Sequence, residues 1–222
     1  MTAVVLASGS PSRRKILAGS GITAHVLVPE VDEAAVAAAH PRASVVELAA
    51  LLAEAKGRAV VDRILGGAAE IPGTDDTAVL FASDSILELA GRPVGKPHTA
   101  EATRRVWEEM GGSSAALHTG HYVARLDRTG ASGRWELAAA VSEPATAVIH
   151  TARPTPEELE AYIATTEPFE VAGALTIDGY GGAFVTGIEG DHHTVIGLSL
   201  PVLRRLVTGL GVFWPSLWDI RR

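Results

Sequence analysis

The chain has 222 residues, 47% hydrophobic and 20% charged, which is enough apolar material for a sizeable core. Its formal net charge of −7 argues against binding nucleic acid or a membrane surface by bulk charge, and leaves only a local basic cleft open. The absence of cysteine excludes disulfides and Cys-ligated zinc or iron–sulfur sites.

The elements alternate between strand and helix. Residues 3–8 read as a buried strand that runs into Gly9-Ser10-Pro11-Ser12-Arg13-Arg14 and a helix over 11–19, closed by Gly19 and Gly21. Ser10 is an N-cap and Pro11 occupies the first helical position, where its missing N–H costs nothing. A strand is predicted over 24–29 and a short Ala-rich helix over 32–39. Ser44 caps a longer helix through Val61, with Val45, Leu48, Leu51, Leu52 and Ala55 as its apolar stripe. Residues 66–77 read as a surface loop. A buried strand over 78–83 delivers Asp84 at its end, and a further strand follows at 86–89. Gly91-Arg92-Pro93 reads as a turn. A capped helix follows over 99–110, then paired strands over 115–127 and 135–149, and a helix opened by Thr155-Pro156. Residues 173–190 are Gly-rich and irregular, with a strand at 182–186, and a last helix spans 201–208. Trp214 and Trp218 read as packing for the C-terminal segment. One α/β domain over residues 1–222 is the simplest account. The first apolar run lacks a basic lead, and no apolar run reaches the ~18 residues of a membrane span, so a cytoplasmic address is expected.

Several residue groups can carry chemistry. The turn at Ser10 presents backbone N–H groups and hydroxyls at a helix start beside basic side chains, which suits phosphate; it also serves as a plain structural cap. A carboxylate leaving an apolar strand, as Asp84 does, often faces a cleft, though the same residue can cap a turn. Lys96 stands between Gly95 and Pro97, and the turn at residues 91–93 can fold it back toward Asp84. Glu33 with Asp84 offers the oxygen set that Mg²⁺ takes alongside phosphates and water. Lys56 lies in the long helix, where a solvated face is the plainer reading. His192 and His193 are adjacent and expected to diverge, which argues against zinc ligation. Neither a Walker A sequence nor GxGxxG is present.

Together these segments resemble the Maf family of nucleoside triphosphate pyrophosphatases over nearly the whole chain. The likeness runs in order through Leu6-Ala7-Ser8-Gly9-Ser10-Pro11 with Arg13, Val31-Asp32-Glu33, Leu52-Ala53-Glu54-Ala55-Lys56, Ser83-Asp84-Ser85, Val94-Gly95-Lys96-Pro97 and Thr119-Gly120. It closes with Ala172-Gly173-Ala174, Ile177-Asp178-Gly179, Ile188-Glu189-Gly190-Asp191 and Val195-Ile196-Gly197-Leu198. The resemblance implies a fold related to the inosine triphosphate pyrophosphatases, an elongated mixed sheet flanked by helices with a nucleotide cleft between two lobes. It implies metal-dependent hydrolysis of a nucleoside triphosphate to the monophosphate and pyrophosphate. Asp84 is then the general base, Ser10, Arg13, Lys56 and Lys96 hold the substrate, and Glu33 with Asp84 holds Mg²⁺ or Mn²⁺. House-cleaning of modified nucleotides and a homodimer are further expectations. The alternative is a nucleotide-binding regulator of cell division with little turnover.

Three departures bear on base choice. Ser12 replaces the first Arg of the family's usual Ser-Pro-Arg-Arg, Ser85 replaces a Thr, and Asp178 stands where members preferring dTTP and UTP typically have Gln. A carboxylate only accepts hydrogen bonds, so Asp178 points toward a base edge that presents N–H donors, such as a guanine or methylated guanine, or toward broad specificity.

Overall fold

The computed structural model describes residues 2–129 and 133–220. Strand β1 (Ala3–Ala7) and helix α1 (Pro11–Gly19) stand where the sequence places them, with Ser10 Oγ accepting from Arg13 N–H at 3.5 Å. The next strand, β2, is only His25–Val26, shorter than expected because it pairs with just two residues of β1. Helix α2 spans Glu33–Ala39. Asp32 is its N-cap and accepts from Ala35 N–H at 2.9 Å.

Helix α3 (Val45–Leu65) begins with a capping box between Ser44 and Glu47. Its core face differs from the expected stripe. Ala49, Leu52, Ala53, Gly57, Val60, Val61 and Ile64 are buried, whereas Val45, Leu48, Leu51 and Ala55 are only half-buried. Small residues face the sheet because helix and sheet almost touch. A Cβ on Gly57 would meet the Tyr122 ring at 2.0 Å, and one on Gly120 would meet the Ala49 carbonyl oxygen at 2.2 Å.

Strand β3 (Thr77–Leu89) is continuous. The polar triplet Ser83-Asp84-Ser85 does not end it, because β5 (Ser114–Thr129) pairs with it antiparallel from Thr77 through Glu88. A long ladder fixes these residues as strand whatever their propensity. The other edge of β3 is shared. Parallel β1 covers Ala78–Ala82, and β4 (Arg92–Val94) returns antiparallel over Leu87–Leu89 through Ala90 and Gly91, both at positive φ. Among the described residues no strand covers Ser83–Ile86 on this edge.

Helix α4 (Ala100–Met110) leads into β5, which pairs with β6 (Arg134–Thr151). Helix α5 (Pro156–Ala164) and short helical turns precede β7 (Val185–Glu189). The strand expected at 182–186 therefore lies further on, because Tyr180–Phe184 is helical and the chain first meets β6 at Val185. Helices α6 (His192–Ile196) and α7 (Leu200–Gly209) follow. The seven strands form one mixed sheet in the order β2-β1-β3-β5-β6-β7, with β4 on β3, and helices pack on it. The apolar interior falls into three clusters. One gathers α1 and α7 against Leu6, Val79 and Phe81, with Trp214 half-buried against it. A second gathers α3 against Val5, Leu80 and Ala82, and a third gathers Trp107, Tyr162 and Leu175 around Leu87 and Leu89. Among the described residues no helix is long and apolar enough to cross a membrane.

Candidate active site

The uncovered stretch of β3 is where the candidate residues gather. Successive side chains on a strand alternate between faces. Asp84 shares parity with Ala78, Leu80 and Ala82, whose side chains pack under α3, while Ser83 and Ser85 share parity with Val79 and Phe81. With β1 ended at Ala7, no strand separates the two faces along this edge among the described residues.

On the α3 side, Lys56 Nζ binds Asp84 Oδ1 in a short contact and Glu33 Oε1 at 2.7 Å. Lys56 and Asp84 are nearly buried, with side chains 12% and 11% exposed, while Glu33 is 56% exposed. The close approach of α3 at Gly57 and Gly120 lets a helix lysine reach a strand carboxylate. The plainer reading of Lys56 as a solvated surface residue is thus overturned. Two carboxylates converge on one cation, and Asp84 Oδ2 and Glu33 Oε2 have no partner among the described residues. Hard oxygen donors with free lone pairs fit Mg²⁺ or Mn²⁺.

On the other face, Arg13 is fixed at three points. Nε donates to the Gly197 carbonyl at 2.9 Å, Nη1 to Ser8 Oγ at 3.1 Å and Nη2 to Ser85 Oγ at 3.3 Å. Burial pulls its pKa down, while the charges of Asp84 and Glu33 pull the other way. An arginine keeps its charge through such shifts. Ser85 is 2.9 Å from Thr119 Oγ1, which donates to the Thr194 carbonyl at 2.8 Å. The hydroxyls therefore run in one direction: Arg13 gives to Ser85, Ser85 to Thr119, and Thr119 to the backbone of α6. The Ser85 hydroxyl, expected to bear on base choice, here supports Arg13.

Gly197 closes α6 with φ +117, and its carbonyl also accepts from Ser83 Oγ at 2.9 Å. A Cβ there would stand 3.1 Å from Ser85 Oγ and 3.3 Å from Arg13 Nε, so glycine is required by both backbone and space. The junction is anchored by Ser199, whose N–H donates to His121 Nε2 at 2.9 Å and whose Oγ donates to Asp191 Oδ2 at 2.6 Å. His121 is fully buried, and burial, with Arg13 adding to it, pushes its pKa down to about 4 against the opposing pull of the Glu143 carbonyl. Burial raises the Asp191 pKa, but hydrogen bonds led by that from Ser199 outweigh it and hold the carboxyl below its usual range.

Of the remaining candidates only Ser10 is hydrogen-bonded to this cluster among the described residues: its N–H donates to Ser8 Oγ at 3.2 Å and its Oγ accepts from the Arg13 N–H. Ser10 caps α1, Ser12 is half-buried in its first turn, and Arg14 is exposed. Lys96 is exposed without an ion-pair partner among the described residues; it follows β4, which runs antiparallel back toward the open stretch of β3. Asp178 is exposed on the loop before Tyr180–Phe184. Ser8, Ser83, Thr119 and Gly197 join the Arg13 cluster by geometry but are not among the sequence candidates. They act through single hydroxyls or a carbonyl, which leave no spacing pattern; their only signal is membership of the family-like segments Leu6–Pro11, Ser83–Ser85, Thr119-Gly120 and Val195–Leu198. His192 and His193 also depart from expectation: their ring centroids are 3.9 Å apart instead of diverging.

Comparison with known proteins gives this arrangement a context. The chain is 47% identical over 216 residues to a nucleoside triphosphate pyrophosphatase of Nocardia farcinica, covering 97% of this chain and 96% of the relative. It is 43% identical over 215 residues to one of Streptomyces coelicolor (97% and 94% covered) and 38% identical over 219 residues to one of Mycobacterium marinum (98% and 97% covered). Among solved structures, the Ham1 protein of Staphylococcus aureus aligns over 94% of this chain and 99% of its own, at 14% identity and a TM-score of 0.36. The model of the Maf-like proteins matches residues 3–210, and the chain belongs to that family.

Proposed function

We propose that this chain hydrolyses a nucleoside triphosphate between its α- and β-phosphates, releasing the monophosphate and pyrophosphate. The observation that carries the reading is Asp84, held by Lys56 beside Glu33 on the one stretch of β3 that no strand covers on its outer edge among the described residues. Asp84 receives the proton of the attacking water as its oxygen bonds to the α-phosphorus. The bond from that phosphorus to the bridging oxygen breaks, and pyrophosphate leaves. Arg13, prevented from rotating by Ser8, Ser85 and Gly197, supplies a fixed positive charge to the phosphates, and Lys56 and Lys96 add theirs. Catalysis of this kind is mostly positioning and charge stabilisation. Glu33 and Asp84 would hold Mg²⁺ or Mn²⁺, which when bound neutralises phosphate charge. Asp178 favours a base edge that donates hydrogen bonds, in keeping with a role in removing modified purine nucleotides.

The test is pyrophosphate release across a panel of natural and modified nucleotides, with Mg²⁺ and with Mn²⁺. The Asp84→Asn variant should lose roughly 10²–10⁴-fold in rate, the usual worth of a general base. Its binding of a non-hydrolysable triphosphate should persist. Full activity in that variant sinks the role of Asp84. Orthophosphate in place of pyrophosphate points to a phosphatase. Saturable binding with no release from any nucleotide favours the regulator.

A further inference from the structure

We propose that Asp191, His192 and His193 form a binding site for a divalent transition ion of the zinc class, built from other residues than the carboxylate pair at Glu33 and Asp84. Neighbouring residues on a regular helix point about 100° apart, so two adjacent histidines ordinarily cannot share a ligand. Here they sit in the first turn of α6, just after the extended N-cap Asp191, and their ring centroids lie 3.9 Å apart with the planes tilted by 38°. One ligand atom from each of the three residues lies within 4.8 Å of the other two. His193 Nδ1 is 3.3 Å and His192 Nδ1 is 3.7 Å from Asp191 Oδ1. Ligand atoms on a tetrahedral zinc ion, at bonds of about 2.1 Å, are about 3.4 Å apart. The two carboxylate–imidazole separations therefore stand close to the edges of such a coordination shell before any ion arrives, and the third lies within 4.8 Å.

The support behind the ligands is also in place. Asp191 is oriented by Ser199 Oγ at 2.6 Å and by the His193 N–H at 3.1 Å, the outer contacts that hold a metal-binding carboxylate in position. The three residues line a cavity of about 870 Å³, far larger than an ion, which leaves coordination positions open to water or a small ligand. Two basic side chains share that wall. Arg205 is paired with Glu143, and Arg204 is exposed, where water and salt screen its charge. Two imidazoles with one carboxylate select zinc, cobalt, nickel or copper over magnesium and manganese. The site thus takes a different class of metal from the oxygen-only pair. It also has a mechanical consequence. The same one-turn helix ends at Gly197, whose carbonyl holds Arg13, so an ion at its start fastens the segment that seats the arginine.

The probe is Zn²⁺ itself, titrated into the full chain after chelator treatment, in competition with a chromophoric indicator. Co²⁺ serves as a spectroscopic reporter of low coordination. One equivalent per chain is expected. His192→Ala and His193→Ala should each weaken it by at least about tenfold, the scale on which shell defects act. Both variants should melt like the parent. Glu33→Gln and His150→Ala should retain the equivalent, the latter because both His150 nitrogens are already engaged, by Ser114 and Glu189. No stoichiometric uptake, uptake unchanged in the double histidine variant, or uptake lost in Glu33→Gln would overturn the site. None of these readouts depends on nucleotide turnover.

Discussion

His121 should make this protein sensitive to mild acid, and the size of the effect follows from its surroundings. The imidazole is fully buried beside Arg13, with Nε2 accepting from Ser199 N–H at 2.9 Å and Nδ1 facing the Glu143 carbonyl at 3.2 Å. Its pKa is pushed down to about 4 in the fold, against about 6.5 in the unfolded chain. Between those values the unfolded chain binds a proton that the folded one refuses, so stability falls as pH drops. The contribution is complete above the unfolded value and is lost through the window from about pH 6.5 to about pH 4. By pH 4.5 the loss amounts to roughly 2.5 kcal/mol, from the gap between the two values at about 1.4 kcal/mol per pH unit. His121→Gln keeps an acceptor for Ser199 N–H but does not titrate. Urea unfolding followed by tryptophan fluorescence at pH 7.5 and pH 4.5 should show the parent losing roughly 2.5 kcal/mol more than the variant. The carboxylates Asp191 and Glu143 are common to both proteins and cancel in the difference. Parallel losses in the two proteins would refute the buried, neutral imidazole.

Two other substitutions probe the frame and the specificity. Gly120→Ala places a Cβ against the Ala49 carbonyl oxygen, so α3 must retreat; a loss of roughly 1–3 kcal/mol is expected, read as a fall in Tm, with lower turnover because Lys56 rides on the same helix. Asp178→Gln restores a group that both donates and accepts, and should shift the ratio of kcat/KM toward the uracil and thymine nucleotides; an unchanged ratio across the panel removes Asp178 from base recognition.

What the sequence disclosed was whatever leaves a local chemical pattern. Ser10-Pro11, Ser44 with Glu47, and Thr155 with Glu158 are all caps in the structure, because a cap is decided within four residues. Asp84 stands out locally as a carboxylate after an apolar run, whereas Lys56 comes only through the family resemblance, since the two are 28 positions apart on different elements and no spacing links them. The polar triplet at residues 83–85 misled in one respect: it reads as a strand end, but a long ladder to β5 outweighs local preference. The buried face of α3 differs from the apolar stripe for a related reason. Large side chains mark a stripe on a helical wheel, yet close approach to the sheet rewards Ala49, Ala53 and Gly57. The seat of Arg13 was hidden because its acceptors are a serine before α1, a serine on β3 and a backbone carbonyl at residue 197, joined only by folding.

The interruption along the outer edge of β3 has a further consequence, for solubility. Unpaired strand backbone is ordinarily a template for another chain. This stretch is four residues long, Ser83–Ile86, or roughly 13 Å at the usual rise per residue, and it is closed at one end by β1 and at the other by β4. A typical intruding strand of about five or six residues cannot lie in so short a recess without displacing a flanking strand. The protein thus leaves four residues without a strand neighbour on that edge while denying the edge to a neighbouring polypeptide.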